Sequence, residues 1–97
     1  MAIARIYRMS CAPGRREELH GALEALADAL REIEGLQSVS VLRDVEQQDD
    51  FVFVEKWESL HVQKSSGKSL PKQAFARVIA ALADQPRGKC FEYLLET

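Results

Sequence analysis

Cysteine is scarce in this 97-residue sequence, with Cys11 and Cys90 the only two. A disulfide scaffold would need more of them, and a zinc site would need ligands in pairs, so neither is expected. No two histidines or carboxylates stand at metal-ligand spacing either, and no metal is expected. Proline and glycine are also few, at three and five, and fall almost wholly at element boundaries, which argues against a linker. No charge of one sign dominates. Thirteen basic and 15 acidic residues leave a net charge of −2, which argues against nucleic acid or an anionic membrane as the main partner. Long apolar runs are missing as well. Arg5 and Arg8 interrupt the first residues, so neither a signal peptide nor a membrane span is expected and the expected location is the cytoplasm.

What is there fits one domain over residues 1–97. The chain is 46% apolar and 29% charged, ordinary for a globular protein. A chain of this size buries only about 60–65% of the surface it exposes when unfolded, so its core is thin. Residues 2–10 interleave apolar side chains with arginine and predict a first strand. Pro13 and Gly14 open a helix predicted over 14–34, in which Leu19, Leu23, Leu26, Leu30 and Ile33 share one face. Glu17 and Glu18 suit its positive end and Arg31 its negative end, and Gly35 supplies a left-handed stop. Residues 37–46 read as a second strand, Gln47 to Asp50 as a hairpin connection, and Phe51 to Trp57 as a third strand. The polar stretch after Glu58 predicts at most a short helix near Leu60 and a loop over Ser65 to Ser69. Pro71 starts another helix, with Phe75, Val78, Ile79 and Leu82 on one face. Residues 89–96 close the chain as a last strand. The order is βαββαβ, an α+β fold of ferredoxin-like topology with an antiparallel sheet.

Two helices cover one face of a four-stranded sheet, yet the strands carry apolar side chains on both. Phe51, Phe53 and Trp57 alternate with Val52 and Val54, Val39, Val41 and Val45 with Leu42, and Phe91, Tyr93 and Leu95 with Leu94. An open apolar face of this kind predicts a homodimer formed through it. The alternative is a monomer with a ligand groove there.

Four stretches, in order, carry a resemblance to a known family: Ala12-Pro-Gly-Arg-Arg-Glu-Glu-Leu19, Ser40-Val-Leu-Arg-Asp44, Phe51-Val-Phe-Val-Glu-Lys-Trp-Glu-Ser59 and Ser69-Leu-Pro-Lys-Gln-Ala-Phe75. Together they resemble the antibiotic biosynthesis monooxygenases, small dimeric α/β-barrel domains that include quinol monooxygenases. The resemblance implies oxygenation of an electron-rich aromatic such as a quinol or anthrone without flavin, haem or metal, hence no cofactor. Oxygenases of this kind place an asparagine four residues before the strand-end tryptophan, where this chain has Phe53. Many relatives have a histidine where this chain has Pro71.

The candidate catalytic residues are Trp57, Arg77 and His61. A strand-end indole can wall an aromatic pocket and donate its N–H to a ligand oxygen; the alternative is a core tryptophan. Arg77 can bind an enolate or quinolate, or can be a solvated helix residue. His61 follows the tryptophan and can accept a proton near neutral pH, or can simply be exposed. Tyr7, Phe53 and Phe75 are the candidate contacts to a small aromatic substrate, with packing as the alternative for Tyr7. His20, at the rim of the long helix's apolar face, reads as structural or solvated.

Two motif-like stretches are dismissed. Ser66-Gly-Lys-Ser69 resembles the end of a phosphate-binding loop, but Val62 stands where that motif requires glycine. The βαββαβ order is shared with RNA-recognition modules, but Asp49 and Asp50 precede the third strand where such a module needs a basic residue and glycine. Three functions stay open: a cofactor-independent monooxygenase-like enzyme, a catalytically silent dimeric domain that binds a small ligand or serves a stress response, and an isomerase-type proton transfer on a small carbonyl compound.

Overall fold

The computed structural model describes residues 1–97. Four strands and three helices follow one another as β1 (Ile3–Ser10), α1 (Arg16–Leu30), β2 (Leu36–Arg43), β3 (Asp50–Trp57), α2 (Leu60–Ser65), α3 (Lys72–Ala80) and β4 (Arg87–Glu92), with a 3-10 turn over Ser66–Ser69. The strands form one sheet in the order β2-β3-β1-β4, and every neighbouring pair is antiparallel. This is the ferredoxin-like arrangement that the element order predicts.

Strand alternation decides what each face carries. Paired residues of an antiparallel ladder point to the same side, and the β3 burial pattern puts Phe51, Phe53, Glu55 and Trp57 on the covered side. Their β1 partners Met9, Tyr7, Arg5 and Ile3 share that side. Helix α1 lies over it and buries Leu19, Ala22, Leu23, Leu26 and Leu30, the leucines expected from their spacing. Each fully buried leucine or phenylalanine contributes about 1.5–3 kcal/mol, so this interface dominates the stability of a thin core. The opposite side carries Ile6, Val52 and Val54, all half-buried, with Leu42 and Phe91 exposed. No helix is long and apolar enough to cross a membrane.

Several boundaries differ from the sequence expectation. Helix α1 is shorter at both ends than 14–34. Gly14 has φ +75°, a left-handed value that cannot begin a helix, so Pro13 and Gly14 form a turn before it. At the other end the Ile33 N–H donates to the Leu30 carbonyl at 3.0 Å, a tight closing turn that carries Ile33 out of the helix while leaving it against the core. Strand β2 stops at Arg43, not 46. The Asp44 carboxylate accepts the N–H groups of Glu46 and Gln47 at 2.8 and 3.0 Å, which turns the chain and leaves Val45 exposed. Those two N–H groups also hold the Asp44 carboxyl below its ordinary pKa, Gln47 foremost.

The expected loop over Ser65 to Ser69 is ordered as the end of α2 and the 3-10 turn. In α3, Val78 is buried but Ile79 is 40% exposed, because Ala74 and Ala81 take the inward positions. Strand β4 runs over 87–92 instead of 89–96. Glu92 pairs with Ile3, the first residue of β1, so nothing lies beyond it to bond to. Tyr93, Leu94 and Leu95 therefore leave the sheet. The tail instead reaches Lys56, which pairs with Glu96 at 2.8 Å and lies 4.9 Å over the Tyr93 ring.

Candidate functional site

The covered side of the sheet is apolar towards α1 and polar towards β4. Phe51 and Phe53 sit under α1 in the main core. The next inward position of β3 holds Glu55, 2% exposed, and the last holds Trp57. A lone carboxylate is almost never buried to this degree. Here the Trp57 Nε1–H donates to Glu55 Oε1 at 2.9 Å. Burial pushes the Glu55 carboxyl above its ordinary pKa; the Trp57 hydrogen bond and the Arg5 charge work against that push.

Arg5 stands directly opposite Glu55 on β1. Its guanidinium does not bridge to that carboxylate. It lies instead 5.0 Å over the Tyr7 ring, and its Nη1 donates to the Cys90 sulfur at 3.5 Å. Its Nε is buried without a hydrogen-bond partner. The Tyr7 contact, foremost, and Cys90 hold the guanidinium above its ordinary pKa against the cost of burial. Burial likewise raises Tyr7, with Arg5 opposing. The Cys90 thiol in turn lies 3.9 Å from Gln63 Oε1, which brings α2 to the edge of the group. Ser59 starts that helix by accepting the Val62 N–H at 3.2 Å, a side-chain cap that fixes where α2 leaves β3.

Gly88 makes this arrangement possible. It pairs with Tyr7 across the ladder, and a Cβ there would stand 2.7 Å from Arg5 Nη2 and 2.8 Å from Tyr7 Cε1. Cys90 and Glu92 on the same side of β4 are exposed. The group therefore meets solvent at the β4 edge, through Cys90, while Glu55 and Trp57 stay buried behind it.

The predicted residues divide between this place and others. Trp57 and Tyr7 belong to it, but the Trp57 N–H is already engaged by Glu55 and is not free for a ligand. Phe53 is fully buried in the core, its ring centroid 6.4 Å from that of Tyr7. Phe75 is half-buried against the same core. His61 is exposed on α2, and as it stands two residues before Gln63 it cannot share that residue's face. Arg77 is exposed on α3 and leans towards α1, where its Nη2 would lie 3.4 Å from a Cβ on Gly21. A separate groove on the opposite side of the sheet, lined by Ile6, Arg8, Arg87, Lys89 and Phe91, holds none of them. No three His, Cys, Asp or Glu side chains converge where a metal ion could be held. Sequence reasoning missed Glu55 and Arg5. The signal was present, since a period of two through Phe51, Phe53 and Trp57 must put Glu55 on their face.

The model of the family described as antibiotic biosynthesis monooxygenase matches residues 2–78. The chain belongs to this family. No curated protein matches it by sequence. Among solved structures, it is similar to a Nitrosomonas europaea protein provisionally described as an antibiotic biosynthesis monooxygenase. The TM-score is 0.86 at 15% identity, covering 99% of this chain and 93% of that one. A variant of SnoaB, a cofactor-independent oxygenase from Streptomyces nogalater, gives 0.84 at 12% identity over 98% and 95%. Rv0793 from Mycobacterium tuberculosis gives 0.83 at 21% identity over 99% and 98%. At such identities these likenesses speak for the fold of this family member and not for its substrate.

Proposed function

We propose that this family member is a cofactor-independent monooxygenase-like enzyme acting on a small aromatic or quinoid molecule beside Arg5 and Glu55, on the covered side of the sheet. The observation that carries the reading is the meeting of Trp57, Tyr7, Arg5 and Glu55 on one side of β1 and β3, within a chain that matches the family model over most of its length. Tyr7 supplies a part-exposed aromatic face. Arg5 supplies the positive charge that favours an aryl oxide, the electron-rich form that reacts with oxygen. Arg77, which leans towards α1, and His61, which does not share the face of Gln63, are given no part in it.

The reading includes a cytoplasmic homodimer of single-domain chains, joined through Ile6, Val52, Val54, Leu42 and Phe91 on the open side. Oxygen consumption by the purified protein, with a panel of quinols, anthrones and flavonols and matched autoxidation controls, tests the activity. Saturable uptake above the controls supports it, and none across the panel from folded protein removes it. Proton transfer on a small carbonyl compound is a second reading, favoured by the buried carboxylate of Glu55. It requires turnover that persists without oxygen.

A further inference from the structure

Arg5 and Glu55 face each other across adjacent strands on the covered side of the sheet, where Cβ atoms lie about 4.5–5.5 Å apart. Opposite charges so placed ordinarily close on each other, and an arginine–carboxylate pair does so with two parallel hydrogen bonds. Here no ion pair forms between them. Glu55 turns to the Trp57 indole at 2.9 Å. Arg5 turns to the Tyr7 face at 5.0 Å and to the Cys90 sulfur at 3.5 Å. Sulfur is a weak acceptor, and Arg5 Nε has no partner at all. The guanidinium is thus held across the ladder from Glu55 with its strongest hydrogen bonds unmade. Glu55 accepts one side-chain hydrogen bond, through a single oxygen, so its other oxygen is left for a further donor. A phenolic hydroxyl between the two groups would satisfy both.

We propose that Glu55 is the proton acceptor of this site, taking the hydroxyl proton of a bound phenol or hydroquinone while Arg5 pairs with the aryl oxide left behind. The inference rests on the aromatic-substrate reading above and gives that site its base. In the step, the substrate O–H bond breaks, the proton joins the free carboxylate oxygen of Glu55, and the electron pair stays on the substrate oxygen. Nothing is oxidised or reduced. Burial, which raises the Glu55 carboxyl above its ordinary pKa, makes it a stronger base than an exposed carboxylate. The Trp57 hydrogen bond holds the other oxygen in place. Tyr7, itself harder to ionise than an exposed tyrosine, stays neutral beside the pair.

The test uses the intact protein and a hydroxyanthraquinone dye whose phenolate absorbs in the visible. Binding is followed by absorbance, and the protons released are counted by calorimetry in two buffers of different ionisation enthalpy. The pH is held below the ionisation of the free dye. The wild-type protein is expected to bind the dye as phenolate with no net proton release, because the proton moves to Glu55. In Glu55→Gln, whose amide oxygen still accepts the Trp57 N–H, the dye should stay a phenol or release about one proton per phenolate formed. In Arg5→Met the bound dye should ionise at a pH about one to three units higher than in the wild type.

One proton released per phenolate by the wild type would overturn the proposal. So would a bound neutral phenol, the absence of binding, or the same spectrum and proton count in Glu55→Gln. The wild-type count needs no variant, so a misfolded mutant does not blunt the test. Oxygen plays no part in the readout. Phenolate formation without proton release in a protein that consumes no oxygen would leave Glu55 as proton acceptor and remove only the oxygenase reading.

Discussion

Single side chains decide most of what the proposed site can do, and Trp57 is the clearest case. Its indole N–H is the one hydrogen bond given to a carboxylate that is 2% exposed. Trp57→Phe keeps the ring but strands that carboxylate, a loss of about 1–3 kcal/mol for an unsatisfied buried group. Urea unfolding should show it, and pairing it with Glu55→Gln should recover part of the loss.

Glu55 also sets a pH dependence. Its carboxyl holds a proton more tightly in the folded chain than at its ordinary value of 4.5. Its contribution to stability is therefore complete below that value and lost as pH rises through the higher folded one. Asp49 has the opposite sign. The Arg16 guanidinium at 2.9 Å holds it below its ordinary value, so its contribution is present at neutral pH and lost in acid. Thermal unfolding of Glu55→Gln, scanned from about pH 4 to about pH 8, should gain on the wild type as pH rises. A constant gap would contradict this account. Gly88→Ala belongs here too, because its methyl group would meet Arg5 and Tyr7. A cost of about 1–3 kcal/mol is expected from overpacking, together with loss of dye binding at the site.

The elements show how far a sequence carries a structural argument. The leucine spacing of α1 was fully legible because its inward face is continuous, and the alternation of β3 was legible because aromatic and β-branched residues mark its two sides. The ends were less legible because they depend on partners far along the chain. Strand β4 stops where β1 begins, and β2 stops where the Asp44 side chain captures two backbone N–H groups. The candidate site was half legible. Tyr7 and Trp57 could be read from their strands. The turn of Arg5 away from Glu55 depends on the glycine at position 88 and the sulfur at position 90, more than eighty residues away.

Gly35 is a second long-range contact. It has φ +87°, its carbonyl accepts the Glu58 N–H at 2.8 Å, and a Cβ there would run into Val62 of α2. Gly35→Ala should cost at least about 1–2 kcal/mol from the left-handed backbone alone, measurable by urea unfolding, with a further cost from displacing α2.

At the scale of the whole molecule, the sheet has one side roofed by helices and one that bears only strands and the tail folded over Lys56. The proposed dimer would use the strand side, and Val54, half-buried in a central strand, is the position to charge. Val54→Lys should shift the protein from dimer to monomer in sedimentation while its helical signal stays intact. A wild type that sediments as a monomer at micromolar concentration would end the dimer reading without touching the roofed side.

Gly88 has a consequence for how the family can be sorted. Because its missing side chain is what lets Arg5 lie over Tyr7, the three positions are expected to be inherited together. Relatives that keep the arginine and the tyrosine should keep the glycine, and a lineage that gains a side chain there should have lost one of the other two. Three letters would then sort a chain into this subtype ahead of any assay.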